Sequence, residues 1–291
     1  MKLSYITDEA TQDFDQAVRF AQEQGFSGLE LRSASDLPVD SIPAEQLAQW
    51  KKLLDREGLQ VPDIAGSFLK CDLGDPMQMA EEMQKLERLC QAAQLFECPY
   101  VRGFAGFRPD SGCIAPRQLL PYFEKAEKVL DSYGIRLLLE ADPSVNTTNH
   151  AALAALLQLL PDRCFGAVYD PGNDLYDPER ETPYPDGYDA VRPYLCHVHV
   201  KDVRYDAGGR PYCVAPGTGL VGWEQILSRL RSDGYGGWLS VETHYRKDVV
   251  LTEALTRVPA GNDFSRGGME ATAESMTALK KLIVQTGGTP S

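Results

Sequence analysis

Long apolar runs are missing from this chain. No stretch reaches the roughly 18 residues that a membrane-spanning helix needs, so no such helix is expected. Met1–Tyr5 leads directly into polar Thr7-Asp8-Glu9, without the apolar core of an export signal. Positive charge is also in short supply: 29 Lys and Arg stand against 42 Asp and Glu, a net −13. A field of that sign repels phosphate backbones and anionic lipid, which argues against nucleic acid and membranes as partners. Cysteine is present but unpatterned. The seven residues, Cys71, Cys90, Cys98, Cys113, Cys164, Cys196 and Cys213, form no C-x-x-C pair. Neither a zinc ribbon nor a disulfide framework is expected, and the chain reads as reduced and cytoplasmic.

What is present points to one globular body. Apolar residues at 43% and charged residues at 24% exclude a disordered chain. The length suits a single domain over residues 1–291, with no linker or composition break. Short apolar runs predict strands at Leu3–Ile6, Gly28–Arg32, Gln60–Ile64, Tyr100–Phe104, Arg136–Glu140, Phe165–Asp170, Cys196–Val200 and Trp238–Glu242. Amphipathic segments predict helices near 13–24, 44–57, 76–96, 116–132, 149–160, 223–233 and 270–285. The stretch holding Pro178, Pro183, Pro185 and Pro193 reads as a long loop with a short helix near 188–192, and the tail from Thr286 to Ser291 as frayed. Gly25, Gly58, Gly134 and Gly234 each stand where a helix ends and a strand follows. Strands alternating with helices imply parallel pairing through right-handed crossovers, and eight units make a (β/α)8 TIM barrel. A doubly wound open sheet is the alternative. It would be favoured by a glycine-rich turn after the first strand, and Thr7–Thr11 has no glycine.

Barrel chemistry sits at the C-terminal ends of the strands. The last four predicted strands carry Glu140, Asp170, His199 and Glu242 there. The side-chain period of two puts His197, His199 and Lys201 on one face. If that face is the lumen, three carboxylates converge on one mouth, and they cannot all stay ionised together without a cation. A divalent metal resolves the conflict. Each residue also has a plainer reading: Asp170 as a turn former before Pro171-Gly172, His197 as a polar core residue.

These residues resemble those of the xylose isomerase-like TIM barrel superfamily, which includes sugar isomerases, ketose epimerases, inosose dehydratases and endonuclease IV. The likeness covers nearly the whole chain. It rests on Thr7-Asp8-Glu9 with the Gly25–Arg32 segment, on His197-Val198-His199-Val200-Lys201-Asp202, and on Gly217-Thr218-Gly219 with Gly222-Trp223. The resemblance places the metal ligands at Glu140, Asp170, His199 and Glu242. Asn173 stands where many ketose epimerases carry a substrate-holding His, which separates this chain from their pattern. Asn146 falls where the family often places a polar substrate contact; its other reading is a loop cap. Endonuclease IV needs a histidine-rich three-metal cluster, and four histidines with a net −13 argue against that class. Homo-oligomers are common in the superfamily, so one is an expectation here.

Three carboxylates and an imidazole suit Mn²⁺, Mg²⁺ or Co²⁺, with Zn²⁺ possible. The chemistry implied is proton transfer on a ketose or related polyhydroxy carbonyl compound through an enediolate, with Glu140 and Glu242 as acid–base groups. Isomerisation or epimerisation is the leading outcome. Dehydration of inosose or 3-dehydroshikimate type is the alternative. Lys201 either neutralises an oxyanion or pairs with Asp202 at the rim. His197 and His244 are candidate substrate contacts, and Arg204 and Arg246 candidate loop clamps. Arg32 and Arg102, at strand ends, either bind an anion or pair with acids such as Glu30. Trp223 reads as helix packing, His150 as solvated and Cys71 as a small lumen residue. A non-catalytic sugar-binding barrel is the competing class.

Overall fold

A computed structural model describes residues 1–290 except 178, 249–250, 253–254, 256–258 and 260. Pro178 of the expected loop and Ser291 of the expected tail lie outside the described residues. The parallel strands are β1 (Lys2–Ile6), β2 (Gly28–Glu30), β3 (Ile64–Phe68), β4 (Tyr100–Gly103), β5 (Arg136–Glu140), β6 (Phe165–Tyr169), β7 (Leu195–Val200) and β8 (Trp238–Val241). The main helices are α1 (Phe14–Gln24), α2 (Ala44–Glu57), α3 (Pro76–Leu95), α4 (Pro116–Tyr133), α5 (His150–Leu157), α6 (Trp223–Ser232) and α7 (Gly268–Gln285). The chain divides into two compact units, one of residues 1–62 and 198–291, the other of 63–197.

In the first unit β1 pairs with β2 on one side and with β8 on the other, and β8 pairs with the end of β7. Ser4 stands level with Ser240, and Ser240 with His199. Helices α1, α2, α6 and α7 belong to this unit. In the second unit β3, β4, β5 and β6 follow one another in parallel order. Leu137, Leu138 and Leu139 of β5 are all fully buried, as strands covered on both faces require.

Local signals explain most boundaries. Asp13, Asp75 and Asn149 cap α1, α3 and α5 with side chains that accept helix N–H groups. Gly25, Gly58, Gly134 and Gly234 have φ of 70°, 69°, 66° and 75°, the left-handed turn that ends a helix at little steric cost. The third strand differs from expectation. Gln60 makes only a bridge to Gly28, and the strand runs four residues later, at Ile64–Phe68. Pro62 lacks the N–H that a ladder through Gln60–Ile64 would use. The tail also differs. Gly287 and Gly288 donate to Val284 and Ile283 at 2.9 and 2.8 Å, which ties the chain down through Gly288. The segment after β6 holds helical turns at Pro171–Asp174, Pro183–Gly187 and Tyr188–Val191. Two short antiparallel ribbons, Ser33–Ala34 with Leu37–Pro38 and Asp202–Tyr205 with Pro211–Val214, were not anticipated.

Candidate active site

Within the first unit the strand ends carry a buried charge network centred on Arg32, two residues past β2. Its guanidinium reaches Asp8 at 2.9 Å, Glu9 at 2.8 Å and Glu242 at 2.8 Å. The other oxygen of Glu242 accepts from Lys201 Nζ at 2.8 Å. Burial by itself would raise the Glu242 carboxyl, but Lys201, His244, His199 and Arg32 hold it well below the usual carboxylate range. His199 Nε2 lies 2.9 Å from Glu30 Oε1, and its Nδ1 is 3.7 Å from Glu242 Oε2. A carboxylate on the far nitrogen of an imidazole fixes the ring for work at the near one.

His244 follows Glu242 by two and has φ of 46°, a conformation a non-glycine residue seldom adopts. Its Nδ1 lies 2.7 Å from Glu9 Oε1, and its backbone N–H donates to Glu9 Oε2 at 3.0 Å. Burial opposes ionisation of Glu9, yet His244, Arg32 and Arg246 together hold its carboxyl far below normal. Arg246 is not a mobile clamp. It is buried, donating to the carbonyls of Tyr245 and Phe264 at 2.7 Å each.

Lys201 faces Glu242. Asp202 accepts backbone N–H groups from Val203, Gly217, Gly219 and Val221, at 2.9, 2.8, 2.9 and 3.2 Å. A Cβ on Gly219 would stand 2.1 Å from Asp202 Oδ1, so this turn requires glycine. The side chain of Arg204 is exposed on the ribbon, its Nε donating to the Thr218 carbonyl. Trp223 packs inside as expected, and its Nε1 donates to the Lys201 carbonyl at 3.1 Å.

The second unit presents Glu140 at the end of β5. Arg102 Nη1 donates to Glu140 Oε2 at 3.0 Å, and Asn173 Nδ2 to Oε1 at 3.2 Å. Asn173 also donates to the Ala141 carbonyl at 2.9 Å. Asp170, one residue past β6, caps the turn that carries Asn173, accepting from Gly172 N–H at 3.0 Å. His197 is buried in β7. Asn146 is committed to the loops. Its amide donates to the carbonyls of Ala105, Gly106 and Phe107 at 2.9, 3.1 and 3.2 Å, and its oxygen accepts from Ile114 N–H at 2.7 Å. The helix cap is Asn149.

His150, expected in solvent, is fully buried. Its Nδ1 lies 2.7 Å from both oxygens of Asp174, which the turn after β6 brings against the start of α5. Cys71 is buried, and burial pushes its thiol up to about 12, which leaves no thiolate for nucleophilic work. Asp8 and Glu9 carry no local sequence signal as partners of Arg32. Both stand in the Thr7-Asp8-Glu9 stretch one turn past β1, the position where a barrel keeps its functional groups.

Glu140, Asp170, His199 and Glu242 are all buried. Three carboxylates and one imidazole are a donor set for a hard divalent ion. The set therefore fits the metal that the sequence implied.

Residues 18–282 match the family described as xylose isomerase-like TIM barrel, and the chain belongs to it. The eight parallel strands among the described residues are those of a TIM barrel, and the open-sheet alternative falls away. The 3-dehydroshikimate dehydratase of Bacillus anthracis is 22% identical over 262 residues, covering 82% of this chain and 89% of that protein. A xylose isomerase-like TIM barrel protein from Mycobacterium smegmatis in complex with magnesium has a TM-score of 0.70 at 16% identity, covering 98% of this chain and 97% of that one. The 3-keto-D-glucoside 4-epimerase from E. coli has a TM-score of 0.69 at 16% identity, covering 98% and 99%. Among the described residues, no helix is long and apolar enough to cross a membrane.

Proposed function

We propose that this chain is one catalytic barrel domain: a divalent-metal-dependent isomerase or epimerase acting on a ketose or related polyhydroxy carbonyl compound. The observation that carries the reading is a set of four buried ligand-type side chains, Glu140, Asp170, His199 and Glu242. They stand at the C-terminal ends of four successive strands, β5 to β8. In this reading they hold one Mn²⁺, Mg²⁺, Co²⁺ or Zn²⁺ ion. Bound there, the ion supplies Lewis-acid polarisation of a carbonyl and its neighbouring hydroxyl.

The rest of the work falls to side chains. Glu140 and Glu242 transfer the proton on the substrate carbon, one taking it and the other returning it, through an enediolate. Asn173 and Arg102 orient Glu140; Arg32 and Lys201 orient Glu242. Lys201 also opposes the negative charge that develops on the substrate oxygen. His244 and His197 contribute polar contacts. Asn146, whose side-chain amide is bonded to backbone groups, and Arg204, whose Nε donates to the Thr218 carbonyl, shape the loops around the substrate.

A dehydratase is the second reading. It is favoured by the kinship with a protein named 3-dehydroshikimate dehydratase and by Asn173 in place of an epimerase histidine. One experiment separates the two and tests both. Metal-supplemented protein is incubated with ketoses, inososes and 3-dehydroshikimate in deuterated water, and product mass is read. Isomers keep the mass apart from exchanged deuterium; dehydration removes a water. Neither exchange nor mass change on any of these substrates would leave a binding barrel as the remaining class.

A further inference from the structure

The second unit carries another cation beside Arg102. β3 ends at Phe68, and Leu69 then takes φ of 57°, a left-handed conformation for a branched side chain. Glu82 of α3 holds it there, accepting the Leu69 N–H at 2.6 Å, while Lys70 N–H donates to the Ser67 carbonyl at 3.0 Å. Backbone strain of this kind persists only where its surroundings enforce it, and it gathers at functional sites. The turn sends the Lys70 ammonium to Asp142 Oδ2, 2.8 Å away, and over the Phe104 ring, 4.5 Å from its centroid. Arg102 lies over the same ring at 5.2 Å. Both cations thus lie against the Phe104 ring. Glu140, ending β5, holds one, and Asp142, two residues on, holds the other.

The two cations differ in how firmly they are braced and in how far they are exposed. Arg102 spends Nε on the Gly66 carbonyl, Nη1 on Glu140 and Nη2 on the Ala65 carbonyl. The Lys70 ammonium carries three N–H groups and places one on Asp142. Its side chain is 13% exposed, against 6% for Arg102. Asp142 is a fixed counter-ion, oriented by Ser144 N–H at 2.8 Å. A chain of net −13 repels anions at long range, so an anionic substrate needs a local cation of this kind.

We infer that Lys70 is the specificity-determining residue for a carboxylate on the substrate, so that the protein takes a cyclic polyhydroxy ketone bearing a carboxylate in preference to a neutral ketose. The inference rests on the metal-dependent carbonyl chemistry proposed above. A phosphate is the poorer match, because its second negative charge would meet the carboxylates of Asp142 and Glu140.

The test is calorimetric titration of manganese-loaded protein with shikimate and with methyl shikimate, which differ in the charge of one group. Wild type is expected to bind shikimate at least about tenfold more tightly than the ester. Lys70→Met should weaken shikimate alone and erase that difference, and Lys70→Arg should retain it. Melting curves and metal content show whether each variant is folded and loaded. If Lys70→Met does not fold, Lys70→Gln and the ester comparison on wild type decide. Equal affinity of wild type for acid and ester, no binding of shikimate, or shikimate affinity unchanged in a folded Lys70 variant would overturn the inference. The two readings fail separately. Turnover of neutral ketoses without shikimate binding removes this one and leaves the proposed function. Lys70-dependent binding in a protein that turns over no carbonyl substrate supports the carboxylate site and removes the function.

Discussion

Arg32 Nη1 stands 2.8 Å from Glu242 Oε1, across 210 positions of sequence. The same guanidinium answers Asp8 and Glu9, so one side chain neutralises acids from the end of β1 and the end of β8. All of these groups are buried, and water cannot replace a lost partner. Removing one member of a buried pair typically costs about 3–5 kcal/mol, because the remaining charge is stranded. Arg32→Met is therefore expected to lower unfolding free energy by at least that much in urea titration. A loss under about 1 kcal/mol would mean that Asp8, Glu9 and Glu242 find other counter-charges.

Metal content gives a second prediction. The purified chain should bind one divalent ion, and His199→Ala should weaken it strongly. Glu30→Gln, which changes the partner of His199 Nε2, should cost about 10–100-fold in metal affinity by competition titration. Equal metal content in wild type and in a Glu140/His199 double alanine variant would sink the site.

The division of labour between the two glutamates is testable with isosteres. Gln keeps an oxygen ligand and removes the basicity. Glu140→Gln and Glu242→Gln should each retain metal and lose on the order of 10²–10⁴ in kcat. If either metal-loaded variant turns over at the wild-type rate, that residue is a ligand only.

A pH effect is expected away from the strand-end acids. Glu181 accepts the N–H groups of His150 and Ala151 at 2.8 and 3.1 Å, holding the proline-rich segment to the start of α5. Burial, then the charge of Asp174, push its carboxyl up from 4.5 to about 7. The folded chain thus binds more protons at this group than the unfolded one, so its contribution to stability is present below about pH 4.5 and is lost as pH rises to 7. His150, also raised, acts in the same direction. Glu181→Gln should make the fall in stability from pH 4.5 to 7 shallower than in wild type, measured by denaturant titration across that range. Parallel profiles would show that Glu181 titrates normally.

Features that depend on near neighbours in the chain were legible from the sequence. Strand β5 at Arg136–Glu140 follows from an apolar run, and the ends of α1, α2 and α4 follow from Gly25, Gly58 and Gly134. So does the placing of Glu140, Asp170, His199 and Glu242 within one residue of strand ends, because strand periodicity is a property of a few residues. Even there, the third strand slipped by four residues, because Pro62 interrupts a pattern that apolar character alone would allow.

Side-chain partners belong to the tertiary structure. Sequence left Lys201 between Asp202, its neighbour, and a developing oxyanion; the fold gives Asp202 four backbone N–H groups and turns Lys201 to Glu242. Sequence put His150 in solvent; the fold sets Asp174 against it. Lys70 carries no local signal at all, and its position depends on Glu82 of α3, Phe104 after β4 and Asp142 after β5 meeting it from three separate stretches. Backbone form is chosen by contacts a few residues apart, whereas the partner of a buried charge is chosen by whichever distant segment packs against it. An unpaired charge there costs several kcal/mol, so these pairings are specified as strictly as the strands themselves.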